Sequence, residues 1–162
     1  PLESLRGEYG FLTQFYGISE EEARRRIRVM ATEFGIREFQ FYDAMSGYSE
    51  PPEERAEIWY SPFRHRPVRG SLIRVYTDEI RRIGGRSWLY VQSMGTDPGD
   101  YWMQRSFVFA GSHMAAGAPL LDVVLPDARW AARVAPQWAR FAKSLGFSGI
   151  HWDTLGADKL RE

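Results

Sequence analysis

The chain has no cysteine among its 162 residues, so a disulfide framework and a thiol nucleophile are both excluded. It also has no net charge, because 21 Lys and Arg residues balance 21 Asp and Glu residues. That balance gives no indication of a nucleic acid or an anionic membrane as a partner. No apolar run approaches the roughly 20 residues that would span a bilayer. The length suffices for one core, and we interpret residues 1–162 as a single domain.

Sequence motifs for metals and cofactors are missing as well. The three histidines, at positions 65, 113 and 151, are scattered, and only His151 lies beside a carboxylate. This spacing argues against a metal site. There is no GxGxxG, no GxxxxGK[ST] and no HExxH, and no serine lies in a GxSxG elbow. The sequence therefore predicts no metal and no cofactor, and it disfavours a Ser-His-Asp triad.

Aromatic residues are abundant, at 15% of the chain, with six Trp and eight Tyr. Two explanations fit this composition. One is a densely packed core, and the other is a carbohydrate site, where the flat apolar faces of sugars stack on aromatic rings.

Strands and helices are predicted to alternate along the chain. Apolar runs predict strands at 9–17, 36–45, 86–94 and 149–155, with an extra short strand at 119–125. Helical spacing predicts helices at about 19–34, 71–83 and 127–145. Long loops follow the second and third of the main strands. Such alternation is typical of a parallel sheet with helices packed outside it.

The first predicted helix has the clearest boundaries. Ser19 can cap its start, with Glu22 three residues later as a capping box. Gly35 is a natural stop at its end. The residues expected to face the core share one stripe: Ala23, Ile27, Met30 and Phe34.

Polar and aromatic groups lie at the carboxyl ends of three of the predicted strands. They are Tyr42 and Asp43; Gln92, Ser93 and Asp97; and His151, Trp152 and Asp153. Because functional residues gather at the carboxyl ends of strands in parallel α/β folds, these three groups predict one site. Structural alternatives stay open for each: Asp43 as a loop-capping carboxylate, Asp153 as a helix N-cap, and His151 and Trp152 as packing residues.

Three segments resemble the catalytic barrel of glycoside hydrolase family 66, the dextranases and cycloisomaltooligosaccharide glucanotransferases. YGFLTQF at 9–15 and FQFYDAM at 39–45 are similar to its first and second barrel strands, and GFSGIHWDTLG at 146–156 to its fourth. The resemblance covers nearly the whole chain but only about half of such a barrel. It implies an α/β fold, a partial (β/α)8 TIM-type barrel with about four parallel strands and outer helices.

The same resemblance implies a chemistry. It places the nucleophile of a retaining glycoside hydrolase, acting on an α-glucan such as dextran, at Asp153. It also implies that five residues surround the sugar: Tyr42, Asp43, Tyr90, His151 and Trp152. The general acid of the family is a Glu on a later strand, beyond the position of Asp153. Because the sequence ends at Glu162, that acid is expected to be absent from this chain.

Two hypotheses follow. The chain is a fragment or derivative of a retaining glycoside hydrolase, whose remaining half covers the open sheet edge. Alternatively, it is a non-catalytic, barrel-derived structural or binding subunit whose open edge is covered by a protein partner. Three departures from the family pattern, at Ala44, Val91 and Ser148, favour the second hypothesis. The retained Asp153, His151 and aromatic residues favour the first.

Overall fold

The computed structural model describes residues 9–47, 51–53, 56–61, 66–92, 95–96, 109–115, 118–124 and 128–153. The strands of the main sheet are β1 (Tyr9–Leu12), β2 (Glu38–Phe41), β5 (Arg86–Gln92) and β9 (Gly149–Asp153). The helices are α1 (Glu20–Glu33), α2 (Gly70–Arg82) and α3 (Ala128–Ser144). The remaining strands are β3 (Ile58–Tyr60), β4 (Pro67–Arg69), β6 (Gly95–Thr96), β7 (Phe109–Ala115) and β8 (Ala118–Val124).

The main sheet is parallel throughout and has the order β1-β2-β5-β9. Successive strands of the sheet are neighbours in space, and α1, α2 and α3 each lie in the connection to the next one. The sheet is not closed within the described residues, because β1 and β9 are its two edges. The predicted α/β fold with four parallel strands and outer helices, a half barrel, is therefore confirmed.

Helix α1 begins where the sequence predicts. The Ser19 side chain accepts a hydrogen bond from the backbone N–H of Glu22 at 3.1 Å, which confirms the cap. The Glu22 carboxylate, however, binds the guanidinium groups of Arg25 and Arg26 instead of completing a capping box. The prediction that Phe34 faces the core is wrong, since its side chain is 62% exposed. It is the C-cap residue, where the chain leaves the helix.

The core lies between the sheet and the helices. Alternate side chains of the strands point towards the helices and are buried, among them Leu12, Phe39, Phe41, Leu89 and Val91. They meet the apolar stripes of the three helices, which include Ile27, Leu72, Tyr76, Ile80, Trp138 and Phe141. Burial of these large side chains is the main stabilising term of the fold.

One buried carboxylate joins the first two helices. Glu79 of α2 is 1% exposed and bonds with Arg28 of α1 at 2.8 Å and with Arg82 of its own helix. A third guanidinium, that of Arg24, lies 3.8 Å from the same carboxylate. The hydrogen bond from Arg82, together with the bond and charge of Arg28, lowers the pKa of Glu79 from 4.5 to about 2. The carboxylate therefore stays ionised in the folded protein.

Two groups of strands lie outside the main sheet. β3 and β4 form an antiparallel hairpin in the connection between β2 and α2. The indole N–H of Trp59 in β3 donates to the carbonyl of Ala44 at 3.0 Å, which ties the hairpin to the end of β2. Strands β6, β8 and β7 form a separate antiparallel sheet. Of these, only β8 was predicted, as the short strand at 119–125. None of the helices in the described part of the chain is long and apolar enough to cross a membrane.

Candidate active site

Every second residue of the main sheet points away from the helices, to the face that would line a barrel. Because side chains alternate along a strand and the register is fixed, these residues share one inner face. They are Tyr9, Phe11, Glu38, Gln40, Arg86, Trp88, Tyr90, Gln92, Gly149, His151 and Asp153. Both aromatic residues of β1 are more than half exposed there. The inner face is therefore open and lined by polar and aromatic groups.

The amino ends of the strands carry one bonded cluster on this face. The Glu38 carboxylate accepts from the Trp88 indole N–H at 2.6 Å and from Arg86 at 2.7 Å. The Arg86 guanidinium also lies over the Trp88 ring, 5.7 Å from its centroid. Gly149 makes room for this indole, because a Cβ at that position would lie 2.5 Å from it. This cluster fixes β2, β5 and β9 relative to one another at their amino ends, the ends opposite to Asp153.

A second pair lies closer to the carboxyl ends. The Nδ1 atom of His151 lies 2.9 Å from the Oε1 atom of Gln40, so the pair links β9 to β2 across β5. Gln40 is 4% exposed and was not predicted as a site residue. A signal existed, since polar or aromatic residues at 38, 40 and 42 alternate with Phe39 and Phe41.

The carboxyl ends of β5 and β9 bring together the predicted nucleophile and a tyrosine. The Tyr90 hydroxyl donates to Oδ2 of Asp153 at 2.5 Å, a distance typical of a charge-assisted O–H···O⁻ bond. The Tyr90 ring lies 4.5 Å from that of Tyr42 and 5.9 Å, edge-on, from that of His151. The structure thus brings together four of the six predicted site residues.

The Tyr90 hydroxyl keeps its proton in this environment. Burial raises the pKa of Tyr90 above its ordinary range. The hydrogen bond to Asp153 and the charge of that carboxylate raise it further, and Tyr42 adds a smaller effect in the same direction. The group is therefore a hydrogen-bond donor at physiological pH.

Asp43 has a different setting. It follows Tyr42 at the end of β2, is 2% exposed, and has a left-handed backbone with φ of 70°. Asp and Asn tolerate this conformation better than other non-glycine residues. The backbone at Asp43 turns the chain out of β2 into the segment that contacts Trp59. The burial of Asp43 favours its interpretation as a loop-capping carboxylate, and a contact between Asp43 and a sugar stays a prediction.

Trp152 lies on the opposite face of the sheet from Asp153. It pairs in register with buried Val91, is half-buried against the core, and lines a cleft with Ala142 and Phe147 at the α3 side. Adjacent residues of a strand point to opposite faces, which accounts for this separation. The placement favours the packing interpretation of Trp152. Ser93 and Asp97 lie outside the described residues, whereas Gln92 pairs in register with Asp153.

The three departures from the family pattern have structural roles. Ala44 and Val91 are fully buried, and the carbonyl of Ala44 accepts the bond from Trp59. The Ser148 hydroxyl accepts from the backbone N–H of Ser87 at 3.1 Å, and the Ser148 N–H donates to the Ser87 carbonyl at 2.9 Å. These contacts lie one residue ahead of the first paired positions, Trp88 and Gly149, and align β9 with β5. The three substitutions therefore fit the local packing.

Among the described residues, no group of three or more His, Asp or Glu side chains could hold a metal ion. The inner face carries the Asp153 carboxylate at the end of β9. This carboxylate accepts a hydrogen bond from the phenol of Tyr90, and the rings of Tyr42 and His151 lie beside that phenol. Such an arrangement suits nucleophilic or acid–base chemistry on an electrophilic carbon.

Solved structures with a similar fold include several enzymes that act on carbohydrates. A cycloisomaltooligosaccharide glucanotransferase from Paenibacillus sp., solved with cycloisomaltoheptaose, has a TM-score of 0.75 and 18% identity, over 91% of this chain and 23% of its own. An alpha-N-acetylgalactosaminidase from Bifidobacterium bifidum has a TM-score of 0.59 and 10% identity, over 91% and 27%. An alpha-amylase from Geobacillus thermoleovorans, complexed with acarbose, has a TM-score of 0.56 and 8% identity, over 92% and 40%.

The chain thus spans about a quarter of the length of the glucanotransferase that it resembles. A sequence search against curated proteins finds no match. The family model of glycosyl hydrolase family 66, in contrast, matches residues 7–162. Since that match covers nearly the whole sequence, the chain belongs to glycosyl hydrolase family 66.

Proposed function

We propose that this chain provides the nucleophile side of the active site of a retaining glycoside hydrolase. The substrate is an α-glucan such as dextran, and the nucleophile is Asp153. One observation carries the proposal: Asp153 ends β9 on the inner face and accepts a short hydrogen bond from Tyr90, in a chain of this family. In barrels of this type, catalytic side chains come from the carboxyl ends of the strands.

The reaction proceeds in two displacements. A carboxylate oxygen of Asp153 attacks the anomeric carbon while the glycosidic C–O bond breaks, and a protonated carboxyl group gives its proton to the leaving oxygen. Water then attacks the anomeric carbon of the glycosyl ester, loses a proton to the same carboxyl group, and releases the Asp153 carboxylate. Two inversions leave the configuration of the sugar unchanged.

The second carboxyl group has to lie about 5 Å from the nucleophile in a retaining enzyme. By resemblance to the family, we place it on a later barrel strand, as a glutamate. The same remainder of the barrel would pair with the edges at β1 and β9. Exposed Tyr9 and Phe11 on the inner face support this, since aromatic side chains that line a barrel are normally packed.

The aromatic residues near Asp153 have two tasks in this mechanism. The ring of Tyr42 lies at the carboxyl end of β2 and is half-buried, so part of it can contact a sugar ring. Together with Tyr90 it surrounds the carboxylate with apolar surface, which limits the access of water to the reacting carbon. The half-buried Tyr42 ring is thus suited to hold a glucosyl unit against Asp153.

Replacement of the carboxylate tests the proposal directly. Asp153→Asn keeps the size and polarity of the side chain but removes the nucleophile, so we expect the intact protein to lose cleavage of dextran. Asp78→Asn is the matched control, because Asp78 lies on α2, has a side chain that is 61% exposed, and forms an ion pair with Arg81 one turn later. Cleavage is followed as release of reducing ends.

Unchanged cleavage by the Asp153→Asn protein would refute the assignment of the nucleophile. If the unaltered intact protein binds dextran without cleaving it, the non-catalytic hypothesis replaces the enzymatic one. Where the unaltered protein cleaves dextran, the Asp78→Asn protein should cleave it at the same rate, which shows that removal of a carboxylate as such is harmless.

A further inference from the structure

We infer that Tyr90 is a positioning residue for Asp153, and that it acts on the nucleophile through its hydroxyl rather than on the sugar. The inference deepens the proposed function and depends on it. The resemblance placed Tyr90 among the residues that surround the substrate, whereas the geometry assigns it to the carboxylate.

The hydroxyl group of Tyr90 is hydrogen-bonded to Asp153. Tyr90 is 5% exposed, and its O–H donates to Oδ2 of Asp153 at 2.5 Å. Such a bond restrains the rotamer of the Asp153 carboxylate at the carboxyl end of β9. The bond engages Oδ2, and the second carboxylate oxygen, Oδ1, is the one that attacks an anomeric carbon.

The ring of Tyr90 is held on two sides. The Tyr42 ring packs against it at 4.5 Å, and His151 meets it edge-on at 5.9 Å. His151 is in turn bonded to buried Gln40 at 2.9 Å. The donor therefore has a fixed position set by β2, β5 and β9 together, and the nucleophile is preorganised by three strands.

This arrangement separates two roles that a site tyrosine can have. A tyrosine that contacts the sugar contributes to substrate binding, so its removal raises KM. A tyrosine that positions the nucleophile contributes to the bond-forming step, so its removal lowers kcat and leaves KM near its original value.

Tyr90→Phe in the intact protein distinguishes these roles, with dextran as the substrate. The variant keeps the ring and its packing but loses the donor. Loss of a hydrogen bond to a charged group should lower kcat by about 10- to 100-fold, with KM within about twofold of the original. Tyr76→Phe is the matched control: it removes another buried phenol hydrogen bond, 3.3 Å long to the carbonyl of Gln14, and kcat should stay unchanged.

A kcat equal to that of the unaltered protein, or a raised KM with kcat unchanged, would overturn the inference. A second variant, Gln40→Leu, tests the support of His151 and serves if Tyr90→Phe does not fold. It should lower kcat with KM unchanged, and by less than Tyr90→Phe does where both variants fold. An unaltered kcat would refute the role of Gln40 and His151 in positioning Asp153.

The outcome for Asp153→Asn separates this inference from the function on which it rests. An active Asp153→Asn protein refutes both. An inactive Asp153→Asn protein together with a fully active Tyr90→Phe protein refutes only the positioning role.

Discussion

The ion pairs of Glu79 lead to a quantitative prediction for stability. This carboxylate is buried between α1 and α2 and bonds with Arg28 and Arg82, which hold its pKa near 2. Glu79→Gln keeps the shape of the side chain but removes its charge. The variant should therefore lose the electrostatic attachment of α1 to α2.

The magnitude follows from the lowered pKa. A decrease from 4.5 to about 2 corresponds to about 3 kcal/mol at 1.36 kcal/mol per pKa unit. The guanidinium partners, however, are half-exposed, at 51% for Arg28 and 61% for Arg82. Solvent screening at these partners reduces the stabilisation, and we expect Glu79→Gln to lower the free energy of unfolding by about 2 kcal/mol at pH 7.

The effect also depends on pH, with a defined sign. Because the folded-state pKa is lowered, the stabilisation is present above about pH 4.5 and is lost as the pH falls towards 2. Urea unfolding of the unaltered protein and of Glu79→Gln at pH 7 and pH 3 measures this. The difference between the two proteins should be smaller at pH 3.

Glu22 offers a matched control. Its pKa is also lowered to about 2, chiefly by hydrogen bonds from Arg25 and Arg26, but it lies on the solvent side of α1. Water screens such surface pairs, so Glu22→Gln should change the free energy of unfolding much less. Equal effects of the two substitutions, or a Glu79→Gln difference that does not shrink at pH 3, would refute the reasoning.

Three further predictions concern the inner face and the helix ends. Asp153→Asn should lower the pKa of Tyr90, because a neighbouring negative charge disappears while burial persists; ¹³C NMR titration of the tyrosine Cζ resonances measures this, and an unchanged pKa would contradict it. Gly149→Ala should cost about 1–3 kcal/mol in urea unfolding, because its Cβ would lie 2.5 Å from the indole on β5, and a neutral effect would show that the indole moves aside. Thr77→Val should cost about 1–3 kcal/mol, because the buried Leu145 carbonyl loses a 2.7 Å hydrogen bond; an unchanged midpoint would show that this carbonyl finds another donor.

The helices were predictable because their signals are local. The Ser19 cap, the stripe of Ala23 and Ile27, and Gly35 with its φ of 70° each act within a few residues. The three helices differ from their predicted bounds by one residue at each end, which lies within the usual uncertainty of helix ends.

The hairpin of β3 and β4 was not predictable because it is short and its pairing is non-local. Each of its strands has three residues, which is too few for alternation to show in the sequence. Its place is set by tertiary bonds, such as the one from Trp59 to Ala44 and that from the Arg69 N–H to the Phe15 carbonyl.

For the site, the sequence indicated which strand ends converge but not which side chains meet. Tyr90 and Asp153 were both predicted, but as a sugar contact and a nucleophile rather than as a bonded pair. The role of Gln40 depends on a register that brings it within reach of His151 across β5. Side chains alternate along β9 (GIHWD), so Trp152 and Asp153 lie on opposite faces of the sheet. This separation could have been predicted from the sequence.

Trapping of the glycosyl-enzyme is the most direct test of the central claim that Asp153 is the nucleophile. The intact protein is treated with a fluorinated α-glucosyl fluoride, whose glycosyl ester forms and then hydrolyses slowly. Mass spectrometry of the digested protein should locate the added sugar on Asp153, and the Asp153→Asn protein should take up none. A sugar found on a different carboxylate would contradict the account.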